Sequence, residues 1–429
     1  MLSTLRNAWK VDEIRKKLLF TMFMVLLYRL GNAVTVPYVD TALMSTYFES
    51  LQNTILAWFN TMSGSALERA SLFALSIQPY INASIIIQLL TIAIPALERL
   101  QKEGGEDGKK KIEKITRYST IGIALLQGYG YYVLISSNGM LSPLATGFWP
   151  PIVIVATFVA GSALLMWMGE QITEFGIGNG ISIILFVSIV ARFPTQIGSM
   201  VRDFMTDSSN WWIYILMLVG ALAIIVLIVI VTNSERRIPV QYSKRVVGRK
   251  MYGGQSTHLP MKVNMSGVLP IIFAQSIASV PATIVVFVPK WEGSWIMEKV
   301  FNTNTLPYAL LYFLLILFFS YFYSTVQFNP IEVANNLRKN GGFIPGFRAG
   351  KPTSEFIQKV LTKITLFGAL YLAVIAITPI LISYFSPTAA KSGISLGGTS
   401  IIIVVSVALE TITQLESQLL MRHYKGFLE

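Results

Sequence analysis

Ten long apolar stretches, separated by polar connections, restrict this chain to a narrow set of folds. They run over about 18–36, 76–95, 115–137, 150–168, 180–193, 211–232, 267–289, 306–328, 364–385 and 398–416. A helix needs roughly 20 apolar residues to cross a bilayer. In lipid every backbone polar group must also be satisfied within its own segment, which selects helices. The pattern therefore predicts an all-α polytopic membrane protein. Composition agrees, with 53% of residues hydrophobic and 13% charged, against about 25% charged in a soluble domain. Leu18–Val36 follows a basic start but exceeds a signal core of roughly 7–15 residues, so it reads as a first span. There is no cysteine, which excludes disulfides, thiolate metal sites and a cysteine nucleophile.

The net charge of +12 sorts onto alternate connections. The N-terminus, the second-to-third, sixth-to-seventh and eighth-to-ninth connections and the C-terminus together carry 27 of the 34 Lys and Arg. The opposite side carries six: Arg69, Arg192, Arg202, Lys290, Lys299 and Lys391. Arg29 lies inside the first stretch. Basic loops stay cytoplasmic, so both termini are expected in the cytoplasm, and because one added or lost span would scramble the alternation, the lopsided split supports ten spans. Ionisable groups inside the spans are few: Arg29, with Glu410 and Glu416 toward the end of the last. Ion-coupled transporters usually carry more intramembrane Asp, Glu or His. His258 and His423 both lie outside the spans, which removes the usual base for an intramembrane serine nucleophile.

Ser76–Pro95 is the least ordinary span. It has no charge, yet Tyr80, Ser84, Gln88 and Thr91 recur at helical spacing as a polar stripe. Ile81 and Ile85 lie one turn apart on a neighbouring face. The preceding Thr61–Leu75 has a helical pattern but is too short and too polar to span. Irregular or half-buried segments survive at membrane depth only inside protein or water, which points to a cavity. On residues alone, that segment reads equally as an amphipathic surface helix. A second stripe, Gln275, Ser279 and Thr283, recurs at i, i+4 and i+8 in the seventh span. Two such stripes can act as static interhelical glue or as a seam that parts. The G-I-G-N-G run at 176–180 lacks the Lys-Ser/Thr of a phosphate loop and reads as a tight turn into a short span.

Four longer motifs carry a family resemblance. Q-P-Y-I-N-A-S-I-I-I-Q-L-L (78–90) and G-E-Q-I-T-E-F-G-I-G-N-G-I-S-I-I (169–184) resemble two helix signatures of the SecY family, central channel subunits of the bacterial Sec protein translocase. Q-S-T-H-L-P-M-K-V-N-M-S-G-V-L-P (255–270) and G-G-F-I-P-G-F-R-A-G-K-P-T (341–353) resemble its two long cytoplasmic loops. Ser76 stands where the family pattern has glycine.

The resemblance implies ten helices in two inverted five-helix halves, about 1–205 and 206–429, around an hourglass pore. A ring of aliphatic side chains closes it; by motif these are Ile81, Ile85, Ile189, Ile272 and Ile403, with Leu185 and Ile401 beside them. A short re-entrant plug helix over about 61–72, including Ser63, Gly64, Ser65, Ala66, Leu67, Glu68 and Arg69, fills the outer funnel. Ser84, Gln88 and Thr91 meet Gln275, Ser279 and Thr283 at a lateral gate that a signal sequence opens. Arg245, Arg249 and Arg348, in loops over about 233–266 and 329–363, dock a SecA-like motor ATPase and the ribosome. Implied partners also include SecE-like and SecG-like small subunits, unfolded polypeptide substrates and membrane lipid. The implied function is a protein-conducting channel of the bacterial cytoplasmic membrane, not an enzyme, with no cofactor or metal. The alternative is a small-solute secondary transporter.

Overall fold

The computed structural model describes residues 2–425 apart from 51–54, 103, 207–210, 243–244, 248–249, 253–255, 266, 288–294, 296–298, 303–304 and 386–397. Helices dominate it. α1 (Leu2–Lys10), α2 (Asp12–Gly31), α3 (Thr41–Ser50) and α4 (Ile55–Met62) come first. α5 (Gln78–Ala93) bends by 104° into α6 (Pro95–Lys102). The break falls where Pro95 can neither donate a backbone bond nor leave Ile94 helical. α7 (Gly105–Ser137), α8 (Trp149–Phe175), α9 (Gly180–Val190), α10 (Phe193–Thr206) and α11 (Trp211–Asn233) follow. α12 (Leu269–Phe287), α13 (Leu306–Gln327), α14 (Pro330–Lys339), α15 (Lys351–Phe385) and α16 (Gly398–Lys425) complete the order.

Among the described residues, five helical stretches are long and apolar enough to cross a membrane: Trp149–Phe175, Gly180–Gly198, Leu306–Lys339, Lys351–Phe385 and Thr399–Leu420. The bent α5–α6 pair makes a sixth if taken as one span. Leu218–Asn233 and Leu269–Pro281 are shorter apolar helices. The remaining expected spans are diluted rather than missing as helices. α2 carries Arg15, Lys16, Lys17 and Arg29, and α7 interrupts its apolar residues with Gly122, Gln127, Gly128 and Gly130.

Two expectations need correction. The chain is not all-α. β1 (Glu235–Tyr242) pairs antiparallel with β4 (Ser256–Lys262), from Glu235 opposite Lys262 to Gln241 opposite Ser256. β2 (Arg245–Val247) and β3 (Lys250–Tyr252) form a small hairpin between them. β5 (Gly342–Phe343), from the other basic loop, pairs with Gln241 and Tyr242 of β1. Pro239 is tolerated in β1 because β5 reaches only the strand's far end, leaving that edge open. Ile238 and Val240 point inward and share a core with Met261, Leu337, Ile344, Ile357 and Leu361. The alternation of buried Ile238 and Val240 with exposed Pro239 and Gln241 is that of a sheet with one wet face. Two loops that look separate in sequence are therefore one packed unit.

The second correction concerns the short re-entrant helix. Residues 63–77 form successive turns, and α4 ends at Met62. Gly64 and Ser65 take left-handed backbone angles (φ 67° and 69°), as do Ala70 (42°) and Ser76 (52°), which no α-helix accommodates. Local side chains satisfy the backbone instead. Ser63 Oγ donates to Asn60 O (3.0 Å) and accepts from Leu67 N (3.2 Å). Asn60 Oδ1 accepts from Glu68 N (3.1 Å). Such bonds offer the chain an alternative to the helical ladder.

Candidate functional site

The expected ring isoleucines come from four helices: Ile81 and Ile85 from α5, Ile189 from α9, Ile272 from α12 and Ile403 from α16. All five are buried, with relative exposures of 6%, 3%, 0%, 6% and 1%. They belong to one continuous apolar cluster, which also includes Leu185, Met62, Phe73 and Ile77, with Ile401 packed against it. The cluster thus runs without interruption from the expected ring into segment 63–77. It also extends to Tyr28 and Met168, well beyond the ring positions.

Segment 63–77 is held on several sides. Val36 N donates to Ala70 O and Leu72 N to Val34 O, both at 2.8 Å, stitching it to the chain after α2. Tyr28 of α2, 1% exposed, donates to Ser63 O (3.1 Å) and shares a 2.6 Å contact with Ser188 Oγ of α9. Tyr131 of α7 donates to Leu67 O. A Cβ on Gly161 of α8 would fall 1.9 Å from Leu72 O, so the helix meets the segment backbone to backbone. Of the expected plug residues, Ser63, Ala66 and Leu67 are buried, Gly64, Ser65 and Glu68 are half-buried, and Arg69 is exposed. Tyr28, Tyr131 and Gly161 escaped the sequence reading, because a lone tyrosine or glycine in an apolar helix gives no local signal.

The expected gate residues are arranged differently from two facing stripes. Gln78 Nε2 of α5 donates to Ser276 Oγ of α12 at 3.2 Å, bridging the two helices with a pair the stripes did not include. Thr91 turns back to Ile87 O (2.7 Å) and Ser279 to Ser276 O (2.7 Å). Gln275 Nε2 points to Tyr308 OH of α13 (3.4 Å). Ser84 and Gln88 are half-buried, and Gln88 Oε1 is buried without a hydrogen-bond partner. Thr283 lies in α12, with its side chain outside the described residues. Helical spacing does not show that Ser and Thr usually bond their own helix's carbonyls.

Arg245 opens β2, with its side chain outside the described residues, as is the whole of Arg249. Arg348 is exposed, and its carbonyl accepts from Thr353 Oγ1 (2.8 Å). The G-I-G-N-G turn joins α8 to α9 as expected. Asn179 Oδ1 caps α9 by accepting from Ile181 N and Ser182 N. Gly178 is left-handed (φ 81°), and a Cβ on Gly180 would fall 2.0 Å from Gly169 O. Beside this turn lies an open polar cavity of about 400 Å³, lined by Thr173, Gly178, Asn179, Lys262, Glu410 and neighbouring residues of α16. Among the described residues, no three His, Asp or Glu gather as a metal site.

Comparison with known proteins then places the chain. The SecY family model matches residues 71–412. The chain belongs to the SecY family. The protein translocase subunit SecY of Streptomyces scabiei is 43% identical over 441 residues, covering all of both chains. The SecY of Corynebacterium glutamicum is 42% identical over 446 residues, again covering all of both. Solved channels share the fold at low identity. A protein-conducting channel superposes with a TM-score of 0.66 at 17% identity, covering 94% of this chain and 92% of that one. A SecY protein whose plug domain stabilises the closed state of its channel gives 0.63 at 16%, with the same coverage. Canine Sec61 in a ribosome–channel complex gives 0.62 at 16%, also with 94% and 92% coverage. The fold is thus the helical SecY/Sec61 channel fold with several apolar membrane-spanning helices.

Proposed function

We infer that the chain is the channel-forming subunit of a protein translocase, passing unfolded polypeptides across a membrane and releasing apolar segments sideways into it. It is a channel subunit and not itself an enzyme. The observation that carries this reading is the convergence of isoleucines from α5, α9, α12 and α16 in one buried cluster continuous with segment 63–77. A neck for polypeptides of any sequence must offer no charge trap, and a narrow apolar neck also excludes hydrated ions by dewetting. The full-length similarity to SecY supports the same reading and lends nothing to small-solute transport.

In finer terms, ten spans form two inverted halves, about 1–205 and 206–429, around an hourglass pore. Ile81, Ile85, Ile189, Ile272 and Ile403 form the ring. Residues 61–72, folded as turns, are the plug. The basic face, with the three-stranded sheet and both termini, lies in the cytoplasm of a bacterium. The polar cavity beside Asn179 and Glu410 is then part of the cytoplasmic mouth. Arg245, Arg249 and Arg348 dock a SecA-like ATPase or the ribosome, and SecE-like and SecG-like subunits flank the bundle. Cationic loops suit ribosomal phosphates and acidic protein faces.

The gate lies between α5 and α12. Gln78–Ser276 closes its buried part, with Ser84, Gln88 and Thr91 on one side and Gln275, Ser279 and Thr283 on the other. A hydrogen bond between membrane helices contributes about 0.6 kcal/mol on average, little enough for an apolar signal segment to part the seam. Cysteines placed at 78 and 276, in a chain with no native cysteine, test this. Joining them with a short cleavable thiol cross-linker is expected to stop export by reconstituted translocase, and cleavage to restore it. Undiminished export with the link in place would overturn the gate.

A further inference from the structure

We propose that Arg192, two residues beyond α9, is a positioning residue that latches segment 63–77 in the closed channel by holding its root at Asn60–Thr61. The proposal rests on reading that segment as the plug. Arg192 Nη1 donates to Thr61 Oγ1 at 2.7 Å. Thr61 lies in the last turn of α4, immediately before the segment begins. Arg192 is half-buried, and its Nε is buried without a hydrogen-bond partner. The counter-charge is Glu68 of the segment, which is bonded to Asn60, the residue beside Thr61.

Glu68 is itself tied to the same root. Asn60 Nδ2 donates to Glu68 Oε2 at 2.6 Å, and Glu68 N donates to Asn60 Oδ1 at 3.1 Å. Arginine and glutamate therefore bond to adjacent residues, 61 and 60. One turn earlier in α9, Ser188 meets Gly64: a Cβ there would lie 3.0 Å from Ser188 O. Ser188 of α9 thus touches the start of the segment, and Arg192, just past the helix, touches its root. Immediately past that contact the chain reverses through the left-handed pair Gly64–Ser65, where strain makes a natural pivot.

The consequence is a bias between two states. With the segment in place, the guanidinium has a charge-assisted bond and a nearby carboxylate in surroundings of low dielectric, where both count for more than in water. If the segment swings out about Gly64–Ser65, Glu68 leaves Asn60 and recedes from Arg192. The cation then stays half-buried without its counter-charge, which disfavours the open state. A polypeptide in transit supplies the opposing interaction; without one the equilibrium falls back to closed. Arg192 stands on the outer side in the charge sorting of the sequence, where nothing distinguishes it from a topology residue.

The test is the resting ion conductance of the complete translocase complex in planar bilayers. Four forms are compared: Arg192→Met, Arg192→Lys, deletion of 65–75, which spares the root, and that deletion combined with Arg192→Met. Deletion is expected to raise the leak. Arg192→Met is expected to raise the fraction of time open several-fold, because the bond to Thr61 is kept in both states and only the attraction to Glu68 is lost on opening. Arg192→Lys, which keeps the charge, leaks less than the methionine variant. Arg192→Met adds nothing once 65–75 is deleted, a result that a merely misfolded variant would not give. A leaky deletion with a silent Arg192→Met, or additive leaks, overturns the latch while leaving the plug intact. A deletion with no leak overturns the plug reading and the latch with it.

Discussion

Replacing Ile81 and Ile85 together by serine is expected to make the resting channel leak ions while leaving the fold intact. Each isoleucine is all but buried in the central cluster, and burying such a side chain contributes about 1.5–3 kcal/mol. The double substitution removes two of these contributions from one strip of α5 and puts two hydroxyls in their place. A serine in a helix can bond the carbonyl four residues back, so α5 itself survives. What changes is the wetting of the neck: widened and made polar on one side, it admits water and then ions. Single-channel recordings of the complex measure this directly. Ile86, next along the same helix but 45% exposed, is the control, and Ile86→Ser is expected to leave the resting conductance unchanged. Replacement of Ile81 and Ile85 by leucine keeps volume and apolarity, so the seal is expected to hold. Equal leak from Ile86→Ser and from the ring variant would show that α5 faces the pore differently.

Gly161→Val is expected to have the largest effect on the closed arrangement as a whole. A Cβ at 161 would fall 1.9 Å from the Leu72 carbonyl oxygen and 2.8 Å from its carbon, both backbone atoms. Neither partner can yield cheaply. Leu72 is fixed by its bond to Val34 O, and its neighbours by the bond between Val36 and Ala70. Overpacking a filled interior costs about 1–3 kcal/mol where side chains can adjust, and here the backbone must move. The expected result is a lower unfolding temperature of the purified complex, together with a resting leak as segment 63–77 is pushed from its seat. Gly122 of α7, where an added Cβ meets nothing within 4 Å, is the matched control. Gly122→Ala is expected to be neutral or stabilising by up to about 1 kcal/mol, the helix preference of alanine over glycine. A Gly161→Val variant as stable and as tight as the Gly122 control would mean that α8 and the segment do not meet as described.

Apolar length made the membrane class legible, because crossing a bilayer demands it. The proposed ring isoleucines stand out only through motif: isoleucine is ordinary filler in membrane helices, and nothing local separates Ile85, 3% exposed, from Ile86, 45% exposed. The turns at 63–77 were not legible. The Ser-Gly-Ser-Ala run reads as tolerable helix, and its left-handed residues follow from tertiary contacts with Tyr28, Ser188 and Gly161. The Gln78–Ser276 bridge was missed for a related reason. Spacing along one helix predicts which residues share a face, but which of them meets a partner depends on where two helices cross. The pairing of β1 with Gly342–Phe343 depends on a segment about 100 residues away in the chain, which no local pattern reveals.

The central claim is that polypeptides pass through the neck lined by Ile85 and Ile272. A photo-reactive amino acid placed at either position, in a complex stalled with a secretory polypeptide part-way across, tests it most directly. The account predicts that both positions cross-link to the polypeptide. The same probe at Leu126, 57% exposed on α7, is predicted to give none. Efficient translocation with no cross-link at 85 or 272, or equal cross-linking at 126, would contradict it.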